Sequence, residues 1–72
     1  MRLPVISGKE MGKILEKHGF VFVRQSGSHL HYWSEEKLRL VTVPNHPELA
    51  LGTLLSILKQ ASLDRGIFER RR

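Results

Sequence analysis

The connection between two strand-like segments in the middle of the chain constrains the fold most. Phe20 to Gln25 and Ser28 to Ser34 are rich in the β-branched and aromatic residues that favour strands. Only Ser26 and Gly27 separate them, and so short a connection can join two strands only in antiparallel order. We therefore expect Ser26-Gly27 to form the turn of a β-hairpin.

A helix is predicted before the hairpin. Ser7 and Glu10 have the spacing of a capping box, in which each side chain accepts a hydrogen bond from the other residue's backbone amide. Gly19 is expected to end the helix in the left-handed conformation. The apolar stripe of this helix recurs at helical spacing and consists of Met11, Ile14, Leu15 and His18.

A third strand and a second helix are predicted after the hairpin. Leu38 to Val43 has the composition of a strand, and Pro44 is expected to end it. The second helix is expected to open at Leu51, with Thr53 as its N-cap. Its buried stripe is Leu54, Ile57, Leu58 and Ala61. The order α-β-β-β-α predicts an α+β domain whose two helices pack on one face of a three-stranded antiparallel sheet and leave the other face open.

The net charge limits the classes of partner. The chain has 72 residues, which fits a single domain over residues 1–72, and it carries twelve Lys and Arg against seven Asp and Glu. A net charge of +5 on so small a domain favours a polyanionic partner, either nucleic acid or an acidic protein. Because there is no cysteine, we expect neither a disulfide nor a thiolate zinc site, as fits a reducing cytoplasm. No segment has the apolar character of a membrane span or a signal peptide.

Alternation along the second strand predicts which of its side chains share a face. His29, His31 and Trp33 fall on one face, and Leu30 and Tyr32 fall on the other. Two imidazoles and an indole on the open face of the sheet would suit RNA. Trp33 or Tyr32 would stack on an unpaired base there, or else pack in the core.

Several other residues are candidates for RNA contact. Arg24 and Arg39 on the strands would hold phosphate through forked, charge-assisted hydrogen bonds. Lys13 belongs to an exposed lysine stripe on the first helix that would touch phosphate. Gly27 and Ser28 are small, so a nucleic-acid backbone can approach the turn closely.

The histidines are the candidates for chemistry. RNA is cleaved without a metal when its 2′-hydroxyl attacks the adjacent phosphorus, which requires a base, an acid and a cation near the phosphate. Histidine suits either proton transfer because its reference pKa lies near 6.5, and His29 is the candidate. A metal shared by His29, His31 and His46 is an alternative, although no carboxylate is placed to complete a catalytic set. A nucleophilic Ser28 is weaker, because neighbouring strand residues point to opposite faces.

Three blocks of residues, taken together, carry a family resemblance: Gly19-Phe20 with Arg24 to His29 and Tyr32, Thr42 to Pro44 with His46, and Gly52 to Leu54 with Ile57 to Ala61 and Leu63. In this order and spacing the chain resembles the HicA (YcfA-like) family of small toxins, the mRNA interferases of toxin–antitoxin pairs. The resemblance covers about residues 7–63 and leaves residues 64–72 as a basic tail in which Ile67 and Phe68 would dock as a short turn.

The resemblance implies a fold like that of double-stranded-RNA-binding domains, ribonuclease activity against mRNA, and a HicB-type antitoxin that covers the active face. The histidine of the family's Gly-Ser-His motif corresponds to His29. The leading hypothesis is therefore a metal-independent endoribonuclease without a cofactor. One alternative is a non-catalytic RNA-binding module of the same fold. Another is a basic subunit that serves only to pair with an acidic partner.

Overall fold

A computed structural model describes residues 3–68 and confirms the predicted order of elements. The elements are α1 (Gly8–Lys17), β1 (Val21–Ser26), β2 (His29–Ser34), β3 (Arg39–Pro44), α2 (Leu51–Gln60) and a 3₁₀ helix (Arg65–Phe68). The three strands form one antiparallel sheet in the order β1-β2-β3. The domain is therefore of the α+β class, as the sequence predicts.

One face of the sheet is covered by both helices. Leu30 and Tyr32 of β2 lie opposite Val43 and Val41 of β3, and all four side chains are buried. They pack with the buried residues of the helices in one hydrophobic core, which includes Met11, Leu15, Leu54, Ile57, Leu58 and Ala61. The helices thus lie on the Leu30 face, and the opposite face is left for other contacts.

The first helix begins with the predicted capping box. Ser7 Oγ accepts a hydrogen bond from the Glu10 backbone N–H at 3.1 Å, and Glu10 Oε1 accepts one from the Ser7 N–H at 2.8 Å. Gly19 follows the helix with φ +93°, as its predicted role requires. Of the predicted apolar stripe, His18 is the exception, because it is exposed at the C-cap and is not part of the core.

We expect Ser7→Ala to lower the free energy of unfolding by about 1 kcal/mol, because the Glu10 amide loses its acceptor. Urea denaturation followed by circular dichroism measures the change. Ser7→Asp is the control, since a carboxylate at the N-cap still accepts from that amide. Equal losses for the two variants would contradict the capping explanation.

The first residue of each strand lies one position later than the sequence predicts. The hairpin loop consists of Gly27 and Ser28, with Ser26 paired to His29 across it. Gly27 has φ +60°, so the glycine occupies the loop position that needs the left-handed conformation, and Ser26 stays in the strand. Similarly, Leu38 has φ +53° and belongs to the turn, so β3 begins at Arg39 and includes Pro44.

The prediction of Thr53 as the N-cap of the second helix is wrong. The helix already begins at Leu51, its N-cap is Ala50, and no side chain caps it. Thr53 lies inside the first turn, where it lines a groove described below. The predicted buried stripe of α2 is confirmed. Ile67 and Phe68 of the 3₁₀ helix are partly buried and pack against the core, as expected. The rest of the basic tail, residues 69–72, lies outside the described residues.

Candidate functional site

The uncovered face of the sheet carries His29 and His31. Burial alternates along β2, with Leu30, Tyr32 and Ser34 buried and the intervening residues more exposed, which confirms the predicted faces. His29 is exposed, and Trp33 is half-buried on the same face. Trp33 thus remains available for base stacking, whereas Tyr32 packs in the core.

Tyr32 contributes to the fold on the covered side. Burial, together with the Glu16 carboxylate, raises the pKa of its phenol. Its ring meets that of Phe22 edge to face, with centroids 5.6 Å apart. The phenol therefore stays protonated at neutral pH and lies in the layer opposite the histidines.

A β-bulge decides which face Arg24 occupies. Phe22 pairs with Tyr32 and Arg24 pairs with His31, so Val23 is an extra residue in β1. Directly opposed residues of an antiparallel pair share a face. Without the bulge Arg24 would follow Phe22 onto the covered face, whereas with it Arg24 lies beside His31 on the open face.

His31 is held in the middle of this face. Its Nδ1 lies 3.1 Å from Thr42 Oγ1 on the neighbouring strand, so a hydrogen bond fixes the orientation of the ring. Its Nε2 is buried and has no hydrogen-bond partner among the described residues. A polar group of a ligand that reached this atom would satisfy a group that the free domain leaves unpaired.

Backbone hydrogen bonds tie the hairpin turn to the rest of the domain. The Asn45 N–H donates to the Ser28 carbonyl at 2.7 Å, and the Gly8 N–H donates to the His46 carbonyl at 2.9 Å. The loop after β3 therefore joins the turn that precedes His29 to the start of α1. This is a structural reason for the Thr42-Val43-Pro44-x-His46 segment, in which the side chain of His46 is exposed.

A polar groove lies between His29 and the second helix. This His29 groove has a volume of about 360 Å³ and is lined by His29, Thr42, Pro44, Gly52, Thr53, Ser56, Ile57 and Gln60. The contribution of α2 to this groove is not predicted from the sequence. The available signal is the spacing of Thr53, Ser56 and Gln60 at i, i+3 and i+7, a polar stripe on a helix whose apolar stripe faces the core.

A second groove is slightly larger, at about 380 Å³, but its lining residues are apolar except for Arg65. It lies where the N-terminal segment meets α2 and the 3₁₀ helix, and its lining residues are Leu3, Pro4, Val5, Leu49, Leu51, Leu55 and Arg65. None of these side chains exchanges protons near neutral pH. The His29 groove is therefore the candidate site, although it is the smaller of the two.

The remaining predicted contacts are not all near His29. Gly27 and Ser28 form the turn next to it. Arg39 pairs with Ser34 at the far end of the sheet, five residues from the position opposite His29, a separation of roughly 17 Å at about 3.4 Å per residue. Lys13 is exposed on α1, in the helical layer on the opposite side of the sheet.

Within residues 3–68, no group of three or more histidine or carboxylate side chains is placed to hold a metal ion. His29 and His31 share a face, but no third ligand from the described residues joins them there. In the same part of the chain, no helix has the length and apolar character needed to cross a membrane.

Comparison with protein families gives a match over most of the domain. The model of a family described as the HicA toxin of bacterial toxin–antitoxin systems matches residues 8–63. The matched segment runs from the first residue of α1 to just beyond α2, so it contains both helices, the whole sheet and the His29 groove. Searches of curated proteins and of solved structures found no match to the chain.

Proposed function

Because this chain belongs to the HicA toxin family of bacterial toxin–antitoxin systems, we propose that it is a metal-independent endoribonuclease that inhibits translation by cleaving mRNA. The observation that carries the proposal is the position of His29. This histidine is exposed at the rim of a polar groove, on the sheet face that the helices leave uncovered. An RNA strand can reach such a side chain without any opening of the domain.

In the proposed reaction His29 transfers a proton and the substrate supplies the nucleophile. The ribose 2′-oxygen attacks the adjacent phosphorus and loses its proton to a base. A new bond joins phosphorus to the 2′-oxygen, the bond from phosphorus to the 5′-oxygen breaks, and an acid protonates that 5′-oxygen. The products are a 2′,3′-cyclic phosphate and a 5′-hydroxyl. His29 performs one of the two proton transfers, each worth about 10²–10⁴-fold in rate when the group is well positioned.

Other residues of the same face would bind the RNA. Arg24, which the bulge places beside His31, is the basic side chain best placed to hold a phosphate and to stabilise its charge in the transition state. Gly27 and Ser28 leave room for the RNA backbone at the turn. A hydrogen bond from RNA to the unpaired His31 Nε2 would first require neighbouring side chains to move, because this atom is buried.

Lys13 and Arg39 are proposed to touch more distant phosphates, since neither lies next to His29. A single RNA strand that contacted His29, Lys13 and Arg39 would have to pass around an edge of the β-sheet.

The family also implies an antitoxin partner. We propose that this partner is of the HicB type and covers the open sheet face, which would exclude RNA from His29. Because the chain carries a net charge of +5, an acidic surface on the antitoxin would favour its binding. In this proposal the toxin meets its mRNA substrate and the antitoxin in the cytoplasm.

The test is a cleavage assay on single-stranded RNA in excess EDTA. We expect cleavage to persist without divalent metal and to leave 2′,3′-cyclic phosphate and 5′-hydroxyl ends. A matched RNA with a single 2′-deoxy nucleotide at a mapped cleavage position should be intact at that position and cut elsewhere. A mock preparation from cells without the toxin gives the background.

The other outcomes decide between functions. If EDTA abolishes cleavage, or if the deoxy position is cut, the proposed chemistry is wrong. If the RNA is bound but never cut, the chain is a non-catalytic RNA-binding module. If RNA is neither bound nor cut while the antitoxin binds, the domain serves only to pair with its acidic partner.

A further inference from the structure

The polar stripe of α2, formed by Thr53, Ser56 and Gln60, lies outside the hydrophobic core. Ser56 and Gln60 are exposed and Thr53 is half-buried, whereas the core of α2 is made by its apolar stripe. All three polar residues nevertheless face the same groove as His29.

The lining of the His29 groove suits an uncharged part of an RNA chain. Three hydroxyls, one amide and one imidazole line it, together with the apolar surfaces of Pro44 and Ile57. Within residues 3–68, no lysine, arginine or carboxylate lines the groove. Hydroxyl and amide groups match a ribose hydroxyl and the edge of a base, and apolar surface suits the flat side of a base. A volume of about 360 Å³ is near the lower limit of ligand pockets, which span about 300–1,000 Å³.

Gln60 is the lining residue best suited to discriminate between bases. Its Oε1 accepts from the Thr42 backbone N–H and its Nε2 donates to Ser56 Oγ, both at 3.4 Å. Both distances are longer than the range of about 2.7–3.2 Å for good N–H···O bonds, so a ligand can replace either bond at little cost. The amide then offers one acceptor and two donors to a base edge.

We propose that the His29 groove is the subsite for a nucleoside next to the scissile phosphate and that Gln60 selects its base. The proposal rests on the proposed ribonuclease function and adds the place where a flanking nucleoside is bound. In this arrangement β2 supplies the proton-transfer residue and α2 supplies the base preference. The two roles are therefore separable by mutation.

Gln60→Glu is the test variant. A carboxylate keeps an oxygen acceptor for the Thr42 N–H, so the link between α2 and β3 is retained, but the amide donors are lost. We expect the distribution of cleavage sites on a mixed-sequence RNA to change at one position beside the cut. We also expect kcat/KM at the preferred sites to fall by about 10-fold, mainly through KM.

Lys59→Ala is the matched control on the same helix. Lys59 is exposed, lies next to Gln60 in the chain and does not line the groove. Loss of its charge should weaken RNA binding equally for all sequences and leave the distribution of cleavage sites unchanged. Equal distributions for wild type and Gln60→Glu, or the same change in both variants, would overturn the role of Gln60.

Binding can be measured separately from cleavage with a 2′-fluoro RNA of mixed sequence, which has no 2′-hydroxyl to attack phosphorus. We expect its titration to shift the backbone amide signals of Thr53, Ser56 and Gln60 in nuclear magnetic resonance spectra. Shifts confined to other surfaces would remove the subsite and leave the ribonuclease proposal standing. Shifts at the groove in a protein that cuts no RNA would support a nucleoside site there but would overturn both its place beside a scissile phosphate and the ribonuclease proposal.

Discussion

Replacing His29 by alanine is expected to lower the rate of RNA cleavage by at least about 10²-fold, because the variant loses one positioned proton transfer. RNA affinity should change little, since phosphate binding is assigned to the basic residues of the surface. The fold should also be retained, because His29 is exposed and takes no part in the core. Single-turnover cleavage in EDTA and filter binding of the 2′-fluoro RNA measure the two quantities separately.

His46→Ala is the matched control for His29→Ala. Both histidines are exposed and lie close to the hairpin turn, but the loop holding His46 depends on its backbone carbonyl, which alanine keeps. We expect wild-type cleavage from this variant. If His29→Ala cleaves as fast as wild type, either His29 takes no part in the reaction or the preparation contains another nuclease, and a mock preparation distinguishes these cases. Equal losses in both variants would show that the site depends on the loop and not on the imidazole of His29.

The parts of the site that the sequence predicts depend on local geometry. The faces of the β2 side chains follow from alternation, and the capping box at Ser7 follows from a fixed spacing. The hairpin is set by the shortness of its loop, although the position of Gly27 in that loop moves its boundary by one residue. Each of these features is decided by residues that are close together in the chain.

The parts that sequence does not predict depend on contacts between distant segments. The bulge at Val23 is a departure from regular pairing that the sequence of β1 does not predict. It nevertheless decides whether Arg24 lies on the same face of the sheet as His31. Arg39 illustrates the same limit, because its distance from His29 follows from the register of β2 and β3. The groove is also tertiary, since Gln60 meets Thr42 from 18 positions along the chain.

Gly8→Ala is expected to destabilise the domain, although the substitution adds only one methyl group. A Cβ at position 8 would overlap the Pro44 carbonyl oxygen, which is backbone and cannot turn away like a side chain. The start of α1 or the loop after β3 must therefore move, and overpacking of this kind costs about 1–3 kcal/mol. Thermal unfolding should show a midpoint several degrees below that of wild type, at roughly 4–8 °C per kcal/mol for a domain of this size.

Gly52→Ala provides the opposite expectation from the same chemical change. Gly52 also lies in the first turn of a helix. Among the described residues, however, no heavy atom beyond its chain neighbours and the backbone of its own helix lies within 4 Å of the position of its added Cβ. Helix propensity favours alanine over glycine at both sites, so propensity alone predicts that both variants are as stable as wild type or more so. If Gly8→Ala lowers the free energy of unfolding and Gly52→Ala does not, the close approach to Pro44 requires the glycine at position 8.

Gly8→Ala is also expected to affect the site. Since Pro44 lies opposite His29 in the sheet, a displacement of this loop should slow RNA cleavage at temperatures where the variant is still folded. A Gly8→Ala variant with wild-type stability and cleavage would show that α1 and the loop adjust without strain and that this contact does not hold the site in place.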